Sequence, residues 1–391
     1  MSNKLIYSLT STSWDKSEIN SIKKVIKSDR YTYGNFVSEF EKKFARYFKK
    51  KYAVMVNSGS SANLISVAAL FFKKKSPLKR GDEVIVPSIS WSTSYFPLIQ
   101  YGLKLRFVDV DKNTINCSAD NIIRACTKKT KLILAVSILG NPVELKKLKS
   151  FCKQKKIYLM EDNCESMGAR HYNQFTGTFG IVNTFSTFYS HHISTIEGGV
   201  ILTNDYEIYN LMLSLRSHGW TRDMKDNFYL KKNQKLYQNY CFVLPGYNVR
   251  PTNINGALGI SQLKKLSKFT KIRQQNYKTY WKLFSKSKIF DIQHTTKNSE
   301  TSAFAFPFIF KEKYLYKKEK TFKLLKKNNI EFRLITGGCY LKHPVSKKTN
   351  YSLFGSLKNA NYIHENGFFV GNHPKILLKE LYNLKKVLEN I

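Results

Sequence analysis

The chain has 391 residues, enough for one large or two ordinary domains, and a hydrophobic fraction of 42% supports a sizeable core. Its 65 Lys and Arg against 27 Asp and Glu leave a net charge of +38, which admits a polyanion partner such as nucleic acid. The lysines are scattered rather than gathered into one basic arm, so a lysine-biased surface is expected and nucleic acid is not expected as a partner.

The six cysteines form no C-x-x-C pair, which argues against a zinc ribbon or a cysteine-held iron–sulfur cluster, and no metal is expected. In a chain of this length they read as reduced thiols. The first residues, Met-Ser-Asn-Lys-Leu-Ile, lack a signal-peptide run, and no stretch approaches the ~20 apolar residues of a membrane span. A cytoplasmic protein with no membrane partner is the expectation.

Residues 17–27 predict a short helix, followed by Tyr31-Thr32-Tyr33-Gly34, a turn with two aromatic rings. Helical spacing over 37–48 puts Phe40, Phe44 and Phe48 on one face, as core. Residues 52–57 predict a strand, Ser58-Gly59-Ser60-Ser61 a turn, and 62–72 an apolar helix. A strand, a small-residue turn and a helix aim free backbone N–H groups at an anion, and the serine hydroxyls add donors. A strand over 83–87 leads to Trp91, which suits either a core position or a ligand platform.

Further strands are expected over 105–111, 132–136 and 157–162, the last ending in Asp162, with a helix over 143–154. Then comes Thr187-Phe-Tyr-Ser-His191-His192-Ile-Ser-Thr-Ile-Glu197-Gly198-Gly199, rich in small and hydroxyl residues, as befits a loop beside a ligand. From Ile157 to Met224 there is no lysine, in a chain otherwise packed with it. A strand over 198–203 and a helix over 205–215 follow, then Arg216-Ser-His218-Gly-Trp-Thr-Arg222 and the rigid turn Pro245-Gly-Tyr-Asn248-Val-Arg250-Pro251. A long helix over 253–285 links to a second domain with strands over 303–310 and 330–334 and lysine-rich helices.

Helices alternating with short apolar strands predict an α/β fold with a mostly parallel sheet covered on both faces. Ligands of such sheets sit at the carboxyl ends of the strands. A pocket for pyridoxal 5'-phosphate (PLP) needs a phosphate cradle, an aromatic face, a carboxylate for the ring nitrogen and a base at the reactive carbon. The Ser-Gly-Ser-Ser turn, Trp91, Asp162 and the His191 loop supply those four parts in chain order.

The segments Asn57-Ser-Gly-Ser-Ser-Ala-Asn63, Glu161-Asp-Asn-Cys-Glu165-Ser-Met-Gly168, Glu197-Gly-Gly, Gly246-Tyr-Asn-Val-Arg250 and Phe332-Arg333 together resemble the DegT/DnrJ/StrS sugar aminotransferases. The resemblance covers nearly the whole chain. It implies a PLP-dependent transferase type I, or aspartate aminotransferase, fold, with a large domain over 1–265 and a smaller C-terminal α/β domain over 266–391. Most members carry a Schiff-base lysine six residues before the glutamate of Glu-Gly-Gly, where this chain has His191. That departure resembles a histidine-containing subgroup of sugar 3-dehydratases acting on nucleotide-linked 4-keto-6-deoxyhexoses, here GDP-4-keto-6-deoxy-D-mannose.

An imidazole forms no imine with PLP but still shuttles protons, and its ordinary pKa near ~6.5 suits both directions. The resemblance therefore implies a non-covalently held cofactor working as pyridoxamine 5'-phosphate, recharged by L-glutamate, with His191 as acid and base. It places Gly59, Ser60, Ser61 and Ser186 on the phosphate, Trp91 on the ring, Asp162 on the ring nitrogen and Glu165 on the 3-hydroxyl. Asn248 is expected to reach a neighbouring subunit's cofactor in a homodimer with shared sites. Arg250 and His218 are candidates for the glutamate carboxylates. Tyr31, Thr32, Tyr33, Gly34, Arg222, Glu331 and Arg333 are candidates for the nucleotide sugar. A sugar aminotransferase using a lysine from elsewhere is the alternative, and a nucleic-acid-binding protein on an inactive scaffold is the alternative of another class.

Overall fold

A computed structural model describes residues 7–225 and 240–391; the first residues, read above for a targeting signal, lie outside them. Its centre is an eight-stranded sheet in the order Tyr52–Val56, Gly199–Thr203, Val182–Ser186, Tyr158–Asp162, Thr130–Val136, Glu83–Pro87, Lys104–Val108 and Tyr351–Phe354. Gly199–Thr203 alone runs against its neighbours, and the other pairings are parallel. The inner strands are buried on both faces because helices cover both, which is why they read as continuous apolar runs.

Parallel pairing gathers the carboxyl ends of the strands on one edge. Asp162 closes one strand opposite Thr184, and Ser186 closes the next opposite Gly199. At Gly199 a side chain has no room, because a Cβ there would stand 2.1 Å from the Ser58 carbonyl oxygen. The Glu-Gly-Gly turn thus lets the returning strand lie against the residue that starts the helix Gly59–Phe71.

Phe40, Phe44 and Phe48 are fully buried and pack against Phe185 with Val200 and Leu266, as their spacing predicts. The helix Asn253–Phe284 has 32 residues, hence a length of roughly 48 Å. Thr252 caps it, and the Asn255 side chain returns to accept from the Thr252 N–H at 2.8 Å. It runs from the large core into a second core, where Tyr280 and Phe284 meet Phe306, Phe308 and Phe368.

That second core lines a four-stranded antiparallel sheet of Phe290–Ile292, Ala305–Phe310, Gly367–Gly371 and Arg333–Leu334. The division expected at 265 falls inside the long helix. Residues Ile335, Cys339, Tyr340, Leu357, Ala360 and Ile363 pack on the large core, and Tyr351–Phe354 extends its sheet. The C-terminal third therefore serves both cores. Among the described residues no helix is long and apolar enough to cross a membrane.

Candidate active site

A cavity of about 350 Å³ opens at the carboxyl edge of the large sheet, against the four-stranded sheet. Its first wall is the start of the helix Gly59–Phe71, where the Ser58 hydroxyl accepts from the Ser61 N–H at 3.0 Å. The remaining first-turn N–H groups have no intrahelical acceptor, so the helix end favours an anion. A Cβ on Gly59 would stand 2.7 Å from Ser186 Cβ and 2.9 Å from Cys164 Sγ, so only glycine leaves the turn this close to the strand end. Ser60 donates to Thr93 Oγ1 at 2.9 Å, and Ser60 and Ser186 both line the cavity. Ser61 lies off the lining, its hydroxyl accepting from Ser58.

The second wall is polar and ordered. Asp162 is buried, its Oδ2 accepting from Asn63 Nδ2 at 2.9 Å and Ser94 Oγ at 2.7 Å, its Oδ1 from the Cys164 N–H at 3.1 Å. Asn63 is itself fixed, accepting from Thr184 Oγ1 at 2.7 Å. Glu165 accepts from the Leu139 N–H at 2.8 Å. Burial pushes its carboxyl up to about 8; the N–H opposes this and the nearby Asp162 charge adds to it. Trp91 is 58% exposed at the rim, which removes the core alternative and leaves a free aromatic face.

The His191 loop forms the third wall. Thr187 N–H donates to Gly198 O and Tyr189 N–H to Ile196 O, both at 2.9 Å, which pinches the loop into a narrow hairpin. The long helix pins it from behind: Asn255 Nδ2 donates to Thr195 O at 2.9 Å and Glu197 O at 3.0 Å, and the Ser194 N–H donates to Gln262 Oε1 at 3.0 Å. His191 faces the cavity between Phe188 and Phe304, with ring centroids 5.8 and 5.2 Å away. Burial, then the Arg273 charge, push its pKa down to about 4. Its Nδ1 lies inside the protein without a partner among the described residues, so proton transfer into the cavity falls to Nε2. His192 is fully buried beside it and lines no part of the cavity.

These walls fit PLP. A helix start closed by a glycine suits its phosphate, an exposed indole its ring, and a buried, multiply bonded carboxylate its ring nitrogen. Among the described residues none lining the cavity is a lysine.

Arg333 lines the same cavity, while Glu331 sits behind it, accepting from the Leu9 N–H at 2.8 Å. The remaining expected residues are not brought to this cavity within one chain. Arg250 donates to Asn248 Oδ1 at 3.2 Å and lies 3.3 Å from His218 Nε2, while Arg222 sits over Trp220, 4.4 Å from its ring centroid. The Tyr31–Gly34 turn is held by the Asn253 N–H, with Tyr33 beneath the buried Arg216 guanidinium. Sequence reasoning missed Arg273, Phe304, Thr93 and Ser94. Asn63 lay inside a quoted segment without a role, Thr93 belongs to the Ser-Trp-Ser-Thr stretch around Trp91, and the other three carry no signal beyond residue type.

The model of the DegT/DnrJ/EryC1/StrS aminotransferase family matches residues 12–389. The GDP-4-keto-6-deoxy-D-mannose 3-dehydratase of Yersinia pseudotuberculosis is 46% identical over 387 residues, covering 98% of each chain. A solved GDP-4-keto-6-deoxymannose-3-dehydratase, a histidine-to-asparagine variant with bound GDP-perosamine, superimposes with a TM-score of 0.94 at 45% identity over 98% of this chain and 100% of that one. A structure of GDP-4-keto-6-deoxymannose-3-dehydratase with a trapped PLP-glutamate geminal diamine gives 0.92 at 44% identity, over 98% and 100%. The chain belongs to the DegT/DnrJ/EryC1/StrS aminotransferase family.

Proposed function

We propose that the chain is a PLP-dependent 3-dehydratase of GDP-4-keto-6-deoxy-D-mannose, using L-glutamate as cosubstrate. The observation that carries this is an imidazole, not an amine, facing a cavity shaped for PLP. When bound, the cofactor supplies an amine for the sugar ketone and a ring that accepts electrons.

Gly59, Ser60 and Ser186 bind the phosphate. Trp91 covers the ring, and Asp162, ordered by three donors, holds a proton on the ring nitrogen. Glu165 orients the 3-hydroxyl. Neutral His191 accepts a proton at Nε2 and returns it to the departing C3 oxygen. Phe188 and Phe304 keep bulk water from that nitrogen. Overall the sugar loses its C3 oxygen while glutamate becomes 2-oxoglutarate and ammonia, so atoms and electrons balance.

Asn248, Arg250, His218 and Arg222 cluster away from their own cavity, which supports a homodimer in which they complete the partner's site. There Asn248 reaches the phosphate, and Arg250 and His218 hold the glutamate carboxylates. Arg222, Arg333, Glu331 and the Tyr31–Gly34 turn contribute to the nucleotide sugar.

The test is mass spectrometry of the sugar after incubation with PLP, L-glutamate and GDP-4-keto-6-deoxymannose. A product lighter by one oxygen, with glutamate-dependent ammonia release, is expected. Replacement of the carbonyl oxygen by an amine would overturn the dehydratase in favour of an aminotransferase.

A further inference from the structure

One guanidinium in the interior has no counter-charge among the described residues. Arg273, on the helix Asn253–Phe284, is 3% exposed. Its Nη1 donates to the carbonyls of Phe304 and Asn372, and its Nε has no partner among the described residues. Only burial moves its pKa, down to about 10, with no carboxylate acting on it. A buried cation without a partner is costly, so its place calls for an explanation.

Arg273 is tied to the residues around the base. Phe304, whose carbonyl it bonds, lays its ring 5.2 Å from His191 and 5.6 Å from His192. Asn372 precedes His373 and clamps the arginine from the other side, donating to Arg273 O at 3.1 Å and Ala303 O at 2.8 Å. Arg273 and His191 line one cavity. Asn255, Gln262 and Arg273 are spaced by seven and eleven residues, so one face of one helix holds both the loop and the charge.

We propose that Arg273 is a positioning residue for the reaction, its fixed buried charge keeping His191 in the neutral, proton-accepting form. The groups around His191 fall into two sets. Asp162 and Glu165 from the second wall and Glu197 from its own loop favour imidazolium when ionised, although burial raises the pKa of Glu165 and Glu197. Arg333 at the rim is exposed to solvent screening. His192 and His373 are themselves driven toward neutrality by burial and by Arg273. Arg273 is therefore the enclosed cation that opposes the carboxylates.

The inference rests on His191 being the acid–base group, and its test is separable from that reading. The full-length protein with PLP, carrying ¹³C-labelled histidine, is titrated by NMR, with His191→Asn assigning the resonance. Wild-type His191 is expected to stay neutral well below the ordinary histidine range near ~6.5. Arg273→Gln, which retains a donor for the carbonyls, is expected to raise the midpoint by about one pH unit or more, and Arg273→Lys to hold it near wild type. Three results overturn the proposal: a wild-type midpoint in the ordinary range, no movement in Arg273→Gln, or equal movement in both variants. Should Arg273→Gln not fold, Arg273→Met, which also removes the charge, takes its place against Arg273→Lys. Retained activity in His191→Asn would overturn the base assignment while leaving the titration to judge Arg273.

Discussion

Gly59→Ala puts the phosphate cradle to a quantitative test. The added carbon would stand 2.7 Å from Ser186 Cβ, 2.9 Å from Cys164 Sγ and 3.3 Å from Ser186 Cα. Comfortable carbon contacts begin near ~3.5 Å, so the end of the strand Val182–Ser186 must yield by roughly 0.8 Å. Rotating Ser186 does not relieve this, because its own Cα and Cβ are the near atoms. Overpacking of this kind costs about 1–3 kcal/mol, while alanine returns up to ~1 kcal/mol of helix propensity. Net stability of the cofactor-free protein should fall by no more than about 3 kcal/mol. Cofactor binding feels the displacement in full, because both crowded elements carry its phosphate ligands. A loss of 1–3 kcal/mol weakens PLP binding about 5- to 150-fold. Titration of tryptophan fluorescence with PLP gives the dissociation constant, and thermal unfolding gives the stability. A dissociation constant within twofold of wild type in a folded variant would refute the assignment of this turn to the phosphate.

His191→Asn is expected to slow deoxygenation by about 10²- to 10⁴-fold while PLP binding, measured by the same titration, is retained. His191→Lys should yield a borohydride-reducible link to PLP, detected as added mass, and its absence would place residue 191 away from the reacting carbon. Burial and Arg273 hold His191 and His373 at about 4, below the ordinary ~6.5 of the unfolded chain. Their contribution is therefore complete above that value and is lost as pH falls toward 4, at up to about 1.4 kcal/mol per pH unit for each. Glu165, raised to about 8, offsets one of them, so melting temperature should fall on acidification from pH 6.5 and fall less steeply in His191→Asn. Parallel slopes would contradict a neutral His191. Finally, mixing inactive Asn248→Ala with inactive His191→Asn should restore activity if subunits share sites; no recovery after subunit exchange would show that each chain works alone.

Much of the large sheet was legible because buried parallel strands are plain apolar runs. Val182–Ser186 was not, since three of its five residues are Asn183, Thr184 and Ser186. They are buried because each finds a partner inside: Asn183 donates to Leu202 O, Thr184 to Asn63 Oδ1, and Ser186 accepts from the Phe188 N–H. Such pairings are invisible before the strands meet. Tyr351–Phe354 escaped for a related reason, because its parallel partner Lys104–Val108 lies far away in sequence. The walls of the site were read from local signals: a turn, a strand-end carboxylate, and a histidine where a lysine belongs. Arg273 had no such signal, because only burial sets it apart among the many cations of its helix. His218, Asn248 and Arg250 stood out in the sequence as polar residues of two turns, but their place together off the single-chain cavity depends on a long-range bridge between Ser217 and Asn248.

The lysine-free lining has a consequence for how such a protein ages and is supplied. A cofactor joined to a lysine as an imine is held by a reversible covalent bond as well as by its contacts. Here the contacts alone retain it, so each turnover carries a greater chance of escape. Folding stability then rises with the logarithm of free cofactor once its concentration exceeds the dissociation constant. The amount of active protein becomes a reading of the ambient vitamin B6 pool, and scarcity would first show as a less heat-resistant protein rather than as a slower one.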